Sequence, residues 1–193
     1  MNSVPYAFCD AVASALNRIP PLGRTKFAKR SRWKRAFADH FKNRMNLNLQ
    51  VLFEDGKWSY KVTRLLIPFD LQEVLRTHRK YIRLEDLLFG TGTRSASSLD
   101  EIRSILKFLR PCADASGWLE LCRIDAPKEV IVDLLSPFSS APFPEIVLAD
   151  YEEAFEDLLR KQFQLDSLKA LEVYDKSPPA LELESEFKRI RSL

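Results

Sequence analysis

Large apolar side chains near the N-terminus recur at helical spacing. Phe8, Val12 and Leu16 lie four residues apart and therefore share one face of a helix that begins beside Pro5. A second amphipathic stretch carries aromatic residues, of which the last three are again four apart: Phe27, Trp33, Phe37 and Phe41. Two helices within about forty residues cannot enclose a core of their own. We expect them to pack on the rest of the chain, on another protein, or on both.

The next segment has the pattern of a β-hairpin. Apolar runs at 47–53 and 58–62 flank the pair Asp55-Gly56, which supplies the positive backbone torsions of a tight reversal. Beyond it, the apolar pattern switches repeatedly between strand and helix spacing. Predicted strands cover residues 81–87, 118–124, 145–148 and 169–174. Predicted helices cover 70–80, the stretch from a cap at Ser98 or Asp100 to Pro111, the stretch from Pro127 to Pro137, 151–163 and 181–190.

Apolar pairs recur through these strands at a period in the twenties. Leu119 and Leu121 return after 27 residues as Ile146 and Leu148, and after 25 more as Leu171 and Val173, with an earlier irregular copy at Ile82 and Leu84. Strand plus helix at this period is typical of leucine-rich-repeat-like solenoids. We therefore predict an α/β protein with a helical module over 1–45, a β-hairpin connector over 46–69 and an irregular leucine-rich-repeat-like strand–helix solenoid over 70–193.

Side chains that alternate with these apolar positions should point outward from the solenoid. The outward set is Glu120, Cys122, Val147, Ala149, Glu172 and Tyr174. It mixes acids with an aromatic ring and contains no pair of nucleophile and base, so we predict that it binds a protein or a peptide. The candidate contact residues are Glu120, Glu172 and Tyr174.

Charge is distributed unevenly, although the net charge is only +3. Residues 1–50 hold ten Lys or Arg against two Asp, whereas residues 51–193 hold twenty against twenty-five acids. The basic residues concentrate in 24–35, where they alternate with aromatics and so favour a solvated helix face. The less favoured alternative is a nuclear-import or nucleic-acid element, in which Arg30, Arg32, Lys34 and Arg35 contact phosphates while Trp33 or Phe37 stacks on bases.

The composition, 46% apolar and 30% charged, is that of a globular protein. Uncharged apolar runs are too short to cross a bilayer, and the N-terminus lacks the pattern of a secretion signal. We therefore expect no membrane partner and an intracellular location, cytoplasmic or nuclear. Cys9, Cys112 and Cys122 form no CxxC pair and are expected to be reduced and buried.

No residue spacing matches a catalytic, nucleotide-binding or metal site. His40 and His78 lie in no HExxH motif, and we expect both at the surface or half-buried. Asp10 is expected to be an ordinary solvated carboxylate. These observations predict a non-enzymatic protein without a cofactor.

The segments Asn2-Ser3-Val4-Pro5 and Phe8-Cys9-Asp10-Ala11-Val12 are similar to the start of many members of a large nematode family, the F-box-like proteins. Ser31-Arg32-Trp33-Lys34-Arg35-Ala36-Phe37 resembles the later F-box helix of that family. Residues 148–173 are similar to the repeat region of that family. The likeness spans most of the chain.

This resemblance implies an F-box that docks on the Skp adaptor of a cullin-type ubiquitin ligase, while residues 80–193 hold a protein substrate. The residues implied for adaptor contact are Val4, Pro5, Phe8, Val12, Leu16 and Trp33. An alternative keeps the fold but turns the N-terminal helices inward as a cap over the edge of the first repeat. An exposed stripe at Phe8 and Val12 favours docking, whereas full burial favours the cap.

Overall fold

The computed structural model of the protein describes residues 4–16, 32–92 and 94–192. Phe27 and the part of the basic run before residue 32 lie outside these ranges. The helices are α1 (Tyr6–Ala15), α2 (Arg32–Asn43), α3 (Leu71–Arg76), α4 (Leu99–Leu109), α5 (Lys128–Leu135), α6 (Glu156–Phe163) and α7 (Pro178–Arg191). The strands are β1 (Met45–Glu54), β2 (Lys57–Arg64), β3 (Ile67–Pro68), β4 (Ile82–Gly90), β5 (Ala113–Leu121), β6 (Glu145–Leu148) and β7 (Ala170–Val173).

All seven strands form one sheet in the order β3-β2-β1-β4-β5-β6-β7. The predicted hairpin is confirmed: β1 and β2 are antiparallel and turn at Asp55-Gly56, where both residues have positive φ. From β1 through β4 to β7, neighbouring strands are parallel. The predicted α/β class is therefore confirmed, and the hairpin belongs to the same sheet because β1 pairs directly with β4.

An apolar ladder runs across the parallel strands and forms the centre of the core. The predicted register is confirmed, because each apolar pair lies directly opposite the next pair along the chain. The paired positions are Leu49 and Val51 on β1, Leu87 and Phe89 on β4, Leu119 and Leu121 on β5, Ile146 and Leu148 on β6, and Leu171 and Val173 on β7.

The earlier copy predicted at Ile82 and Leu84 is wrong, because Leu87 and Phe89 are the residues of β4 that pair with β5 at these positions. The cause is an irregularity between the two strands. Leu84 pairs with Ala113 and Asp86 with Trp118, so residue spacing does not follow strand register here.

A row of helices covers the core side of the sheet. Ser98 caps α4 as predicted, because its hydroxyl accepts the backbone N–H of Glu101 at 3.1 Å. Polar contacts link successive helices, for example Arg103 of α4 to Asp133 of α5 at 2.7 Å. Among the described residues, no helix is both long and apolar enough to cross a membrane.

The helices α1 and α2 pack on each other around a small cluster of their own. Its buried residues are Cys9 and Ala13 of α1 and Ala36 of α2, and it is separate from the main core. Small side chains therefore form the buried centre of the helix contact, and Val4, Tyr6, Trp33 and Phe37 pack around it. The large stripe of Phe8, Val12 and Leu16 lies elsewhere on α1, with Phe8 more than half exposed.

Candidate functional site

A partly buried polar junction connects the helix pair to the sheet. His40 of α2 is fully buried, and its Nε2 lies 3.1 Å from Oδ1 of Asp10 on α1. The Nζ of Lys80 lies 3.2 and 3.1 Å from the two carboxylate oxygens of Asp10. The ring of Tyr81 packs against the imidazole with centroids 5.0 Å apart. The expected positions of both His40 and Asp10 are therefore corrected: each is a structural group of this junction.

The electrostatics of the junction favour a neutral histidine. Burial lowers the pKa of His40 below its ordinary value, and the attraction of Asp10 only partly offsets this. For Asp10, the hydrogen bonds from Lys80 and His40 outweigh the effect of burial and lower its pKa. A neutral imidazole thus donates Nε2–H to an ionised carboxylate, while Nδ1 has no hydrogen-bond partner within the described residues.

Further polar contacts strengthen the junction. The guanidinium of Arg44 donates to the backbone carbonyls of Ala13 and Leu16, at 2.8 and 2.6 Å. Ser14 donates to the carbonyl of Lys80 at 3.4 Å and accepts from Arg83 at 3.2 Å. The α1–α2 pair is therefore attached at the start of β4 mainly through polar groups.

The residues predicted for adaptor contact surround the exposed side of this helix pair. Pro5 precedes the first turn of α1, and Phe8 is 55% exposed, while Val4, Val12, Leu16 and Trp33 are half-buried. Phe8 meets Trp33 edge to face with centroids 5.9 Å apart, and Trp33 stacks on Phe37 at the same separation. The two helices thus present a continuous aromatic row.

The second surface is the open face of the sheet, formed by side chains that alternate with the apolar ladder on β4 to β7. Its members are Asp86, Leu88, Trp118, Glu120, Cys122, Glu145, Val147, Glu172 and Tyr174. The outward orientation predicted for Glu120, Glu172 and Tyr174 is confirmed by this register and by their half-buried or exposed side chains. Trp118 is 43% and Tyr174 64% exposed.

Negative charge accumulates on the open face. Among the described residues, no ion pair involves Asp86, Glu120, Glu145 or Glu172. Burial and the charge of Glu120 raise the pKa of Asp86, although Asn48 donates to its carboxylate. Tyr174 donates its hydroxyl to Glu172 at 3.0 Å, and its pKa is raised by that bond and by Glu145 and Glu120. The face therefore carries a negative potential beside two exposed aromatic rings.

The thiol of Cys122 on the open face is a poor nucleophile. Burial, followed by Glu120 and Asp150, raises the pKa of Cys122 to about 11, so the thiol is protonated at neutral pH. The expectation that all three cysteines are buried is confirmed for Cys9 and Cys112. It is wrong for Cys122, which is half-buried. Within the ranges that the structure describes, no cluster of His, Cys, Asp and Glu could hold a metal ion.

Four members of the open face were missed by sequence reasoning: Asp86, Leu88, Trp118 and Glu145. Asp86 pairs with Trp118, and Trp118 with Glu145, so the three form one row across β4, β5 and β6. The row could have been found by extending the alternation from Glu120 back to Trp118 and from Val147 back to Glu145. Asp86 gave no such signal, because its register depends on the irregularity after Leu84.

Comparison with known proteins gives no relative for this chain. No family model, curated protein or solved structure matches it.

Proposed function

We propose that this protein is a non-enzymatic protein-interaction adaptor. Its open sheet face binds a cationic segment of a protein target, and its α1–α2 pair docks on a second protein. By the F-box-like resemblance, that second protein is a Skp-like subunit of a cullin-type ubiquitin ligase.

The open face is the observation that carries the proposal. Unpaired carboxylates favour a cationic partner because each would gain an opposite charge on binding. Exposed Trp118 and Tyr174 add apolar area and rings on which Arg or Lys can stack. Glu120 and Glu172 lie on strands separated only by β6, about 10 Å apart, so one extended segment can contact both.

Charge reversal at Glu120→Lys and Glu172→Lys is expected to weaken target binding while leaving folding nearly intact. The probe is a labelled extended peptide that alternates Arg and Ser, measured by fluorescence anisotropy at low salt. The dissociation constant should rise at least about tenfold. Substitution of the exposed Glu172 should change stability by only about 0.5 kcal/mol, and substitution of the half-buried Glu120 by about 1 kcal/mol.

A matched control separates the face from net charge alone. Glu129 and Glu182 are exposed on α5 and α7, so the double variant Glu129→Lys, Glu182→Lys has the same total charge as the test variant. Peptide affinity should be preserved in this control. An equal loss in both variants, or equally tight binding of an acidic peptide, would contradict a role for the open face.

Two features support docking by the helix pair over the cap alternative. Phe8 is more than half exposed and Val12 is half-buried, so the stripe lacks the full burial that favours the cap. The pair contacts residues 80–83 at the start of β4, an interior strand, whereas the edges of the sheet are β3 and β7. Trp33 already packs with Phe8 and Phe37, which disfavours the alternative in which it stacks on nucleic-acid bases.

The double substitution Phe8→Ala, Val12→Ala is expected to abolish co-purification with a recombinant Skp-like protein. Each buried side chain of this size contributes about 1.5–3 kcal/mol of binding free energy. Phe41→Ala is the control, since Phe41 is 68% exposed on α2 but is not among the predicted contacts. If the unsubstituted protein captures no Skp-like subunit, the adaptor assignment is wrong and the open-face proposal is unaffected.

A further inference from the structure

The sheet contains two tight hairpin turns with the same backbone shape and very different residues. At the first, Asp55 and Gly56 have φ of 51° and 73°; at the second, Leu65 and Leu66 have φ of 51° and 67°. Each is a two-residue loop, because Glu54 pairs with Lys57 and Arg64 with Ile67. Positive φ at both positions is the type I′ geometry, which favours Asn-Gly or Asp-Gly. Leucine is strained in this conformation, so the second turn is not optimised for stability.

The second turn also exposes apolar area that the fold does not use. Leu65 is 80% and Leu66 84% exposed, and the neighbouring Ile67 is exposed as well. We call these three residues the apolar tip. It projects from the end of a hairpin at the edge of the sheet, so it is convex. A projecting apolar tip suits insertion into a deformable apolar phase.

We propose that the apolar tip inserts into the interfacial region of an anionic phospholipid bilayer. Charge supports this occupant, because the half of β2 nearest the tip carries Lys61 and Arg64 and no acidic residue. Arg64 is exposed and directly precedes the tip, where it can contact lipid phosphates while the leucines enter the acyl boundary. The expectation of no membrane partner rested on the lack of a spanning segment, and contact with a bilayer surface needs none.

Strand pairing with a second copy is the weaker explanation of this edge. β3 has only two residues, and the second, Pro68, has no N–H to donate to an added strand. The lipid proposal uses neither the open face nor the α1–α2 pair. Its failure would therefore leave the proposed function standing.

The deciding variant is Leu65→Asn, Leu66→Gly, which installs the residues that a type I′ turn prefers. It removes both apolar side chains and relieves the backbone, so the melting temperature should stay the same or rise. Full-length protein would be floated with phosphatidylcholine vesicles and with vesicles that also contain phosphatidylserine. We expect binding to the anionic vesicles only, at least about tenfold weaker in the variant. Arg64→Gln should reduce the binding and its salt dependence while keeping the leucines.

Several outcomes would overturn the proposal. One is a lack of binding by the unsubstituted protein to anionic vesicles, and another is unchanged binding by the turn variant. A lower melting temperature in the turn variant would mean that the leucines pack within the fold. Self-association that the variant abolishes, without vesicle binding, would assign the tip to a second copy of the chain.

Discussion

Replacing Gly117 by alanine is expected to destabilise the protein by about 3 kcal/mol or more, because the new methyl group has no space. Gly117 lies in β5 directly before Trp118, where β5 again pairs with β4. A Cβ on Gly117 would overlap the backbone carbonyl of Glu85 and would lie 2.9 Å from the Cα of Glu85. The overlap is with backbone, so relief requires β4 and β5 to separate. The melting temperature should fall by roughly 6–12 °C, measured by circular dichroism.

Gly90→Ala is the matched control for this prediction. A Cβ at Gly90 would meet the side chains of Cys122 at 3.2 Å and Leu88 at 3.3 Å, and these can shift by a few tenths of an ångström. Its cost should be clearly smaller than that of Gly117→Ala. Equal stability of the Gly117→Ala and unsubstituted proteins would show that the two strands are not held this close.

Gln162→Glu is expected to cost about 3–5 kcal/mol at pH 7. Gln162 of α6 is fully buried, and its amide donates to the backbone carbonyls of Phe138 and Ala141 at 2.8 and 3.0 Å. A carboxylate of the same shape removes both hydrogen bonds and sets a negative charge against two carbonyl oxygens. Urea titration of the variant and the unsubstituted protein gives the difference in unfolding free energy.

The pH dependence distinguishes this mechanism from a simple loss of packing. Burial should raise the pKa of the introduced carboxyl above its unfolded value of about 4.3, so the folded variant binds the proton more tightly. The cost relative to the unsubstituted protein should therefore shrink as the pH falls toward about 4. The control is Gln164→Glu, at an exposed position at the C-terminal end of α6. It should lower the free energy of unfolding by less than about 1 kcal/mol at every pH. A cost at Gln162 that does not change with pH would contradict the buried-charge explanation.

Sequence reasoning succeeded where structure depends on local pattern. Asp55-Gly56 predicted a turn through its backbone preference, and the recurrence of Leu119 and Leu121 predicted strand register because the helical connections have similar lengths. It failed at Ile82 and Leu84, because the extra residues of β5 that precede Trp118 shift its register against β4, so that Leu87 and Phe89 lie opposite Leu119 and Leu121. This irregularity in strand pairing is set by contacts between distant residues and leaves no periodic signal in the sequence.

The candidate site shows the same division. The outward positions Glu120, Glu172 and Tyr174 followed from alternation within a strand. The burial of His40 did not, because it depends on Asp10 thirty residues away and on Lys80 beyond the hairpin. Large apolar residues also dominate any search for a helix interface, so the burial of Cys9 was expected but the contact of the small Ala13 and Ala36 was not.

The separate apolar clusters of the helix pair and the sheet have a consequence for how two partners would be coordinated. Among the described residues the clusters share no apolar side chain, so repacking in one reaches the other through the polar junction of Asp10, His40 and Lys80 and through the short link between α2 and β1. Coupling free energy between the two surfaces should then be small, and each partner would bind with nearly its own affinity. Such a protein acts as a tether: it raises the effective concentration of one partner beside the other without either having to change the shape of the scaffold.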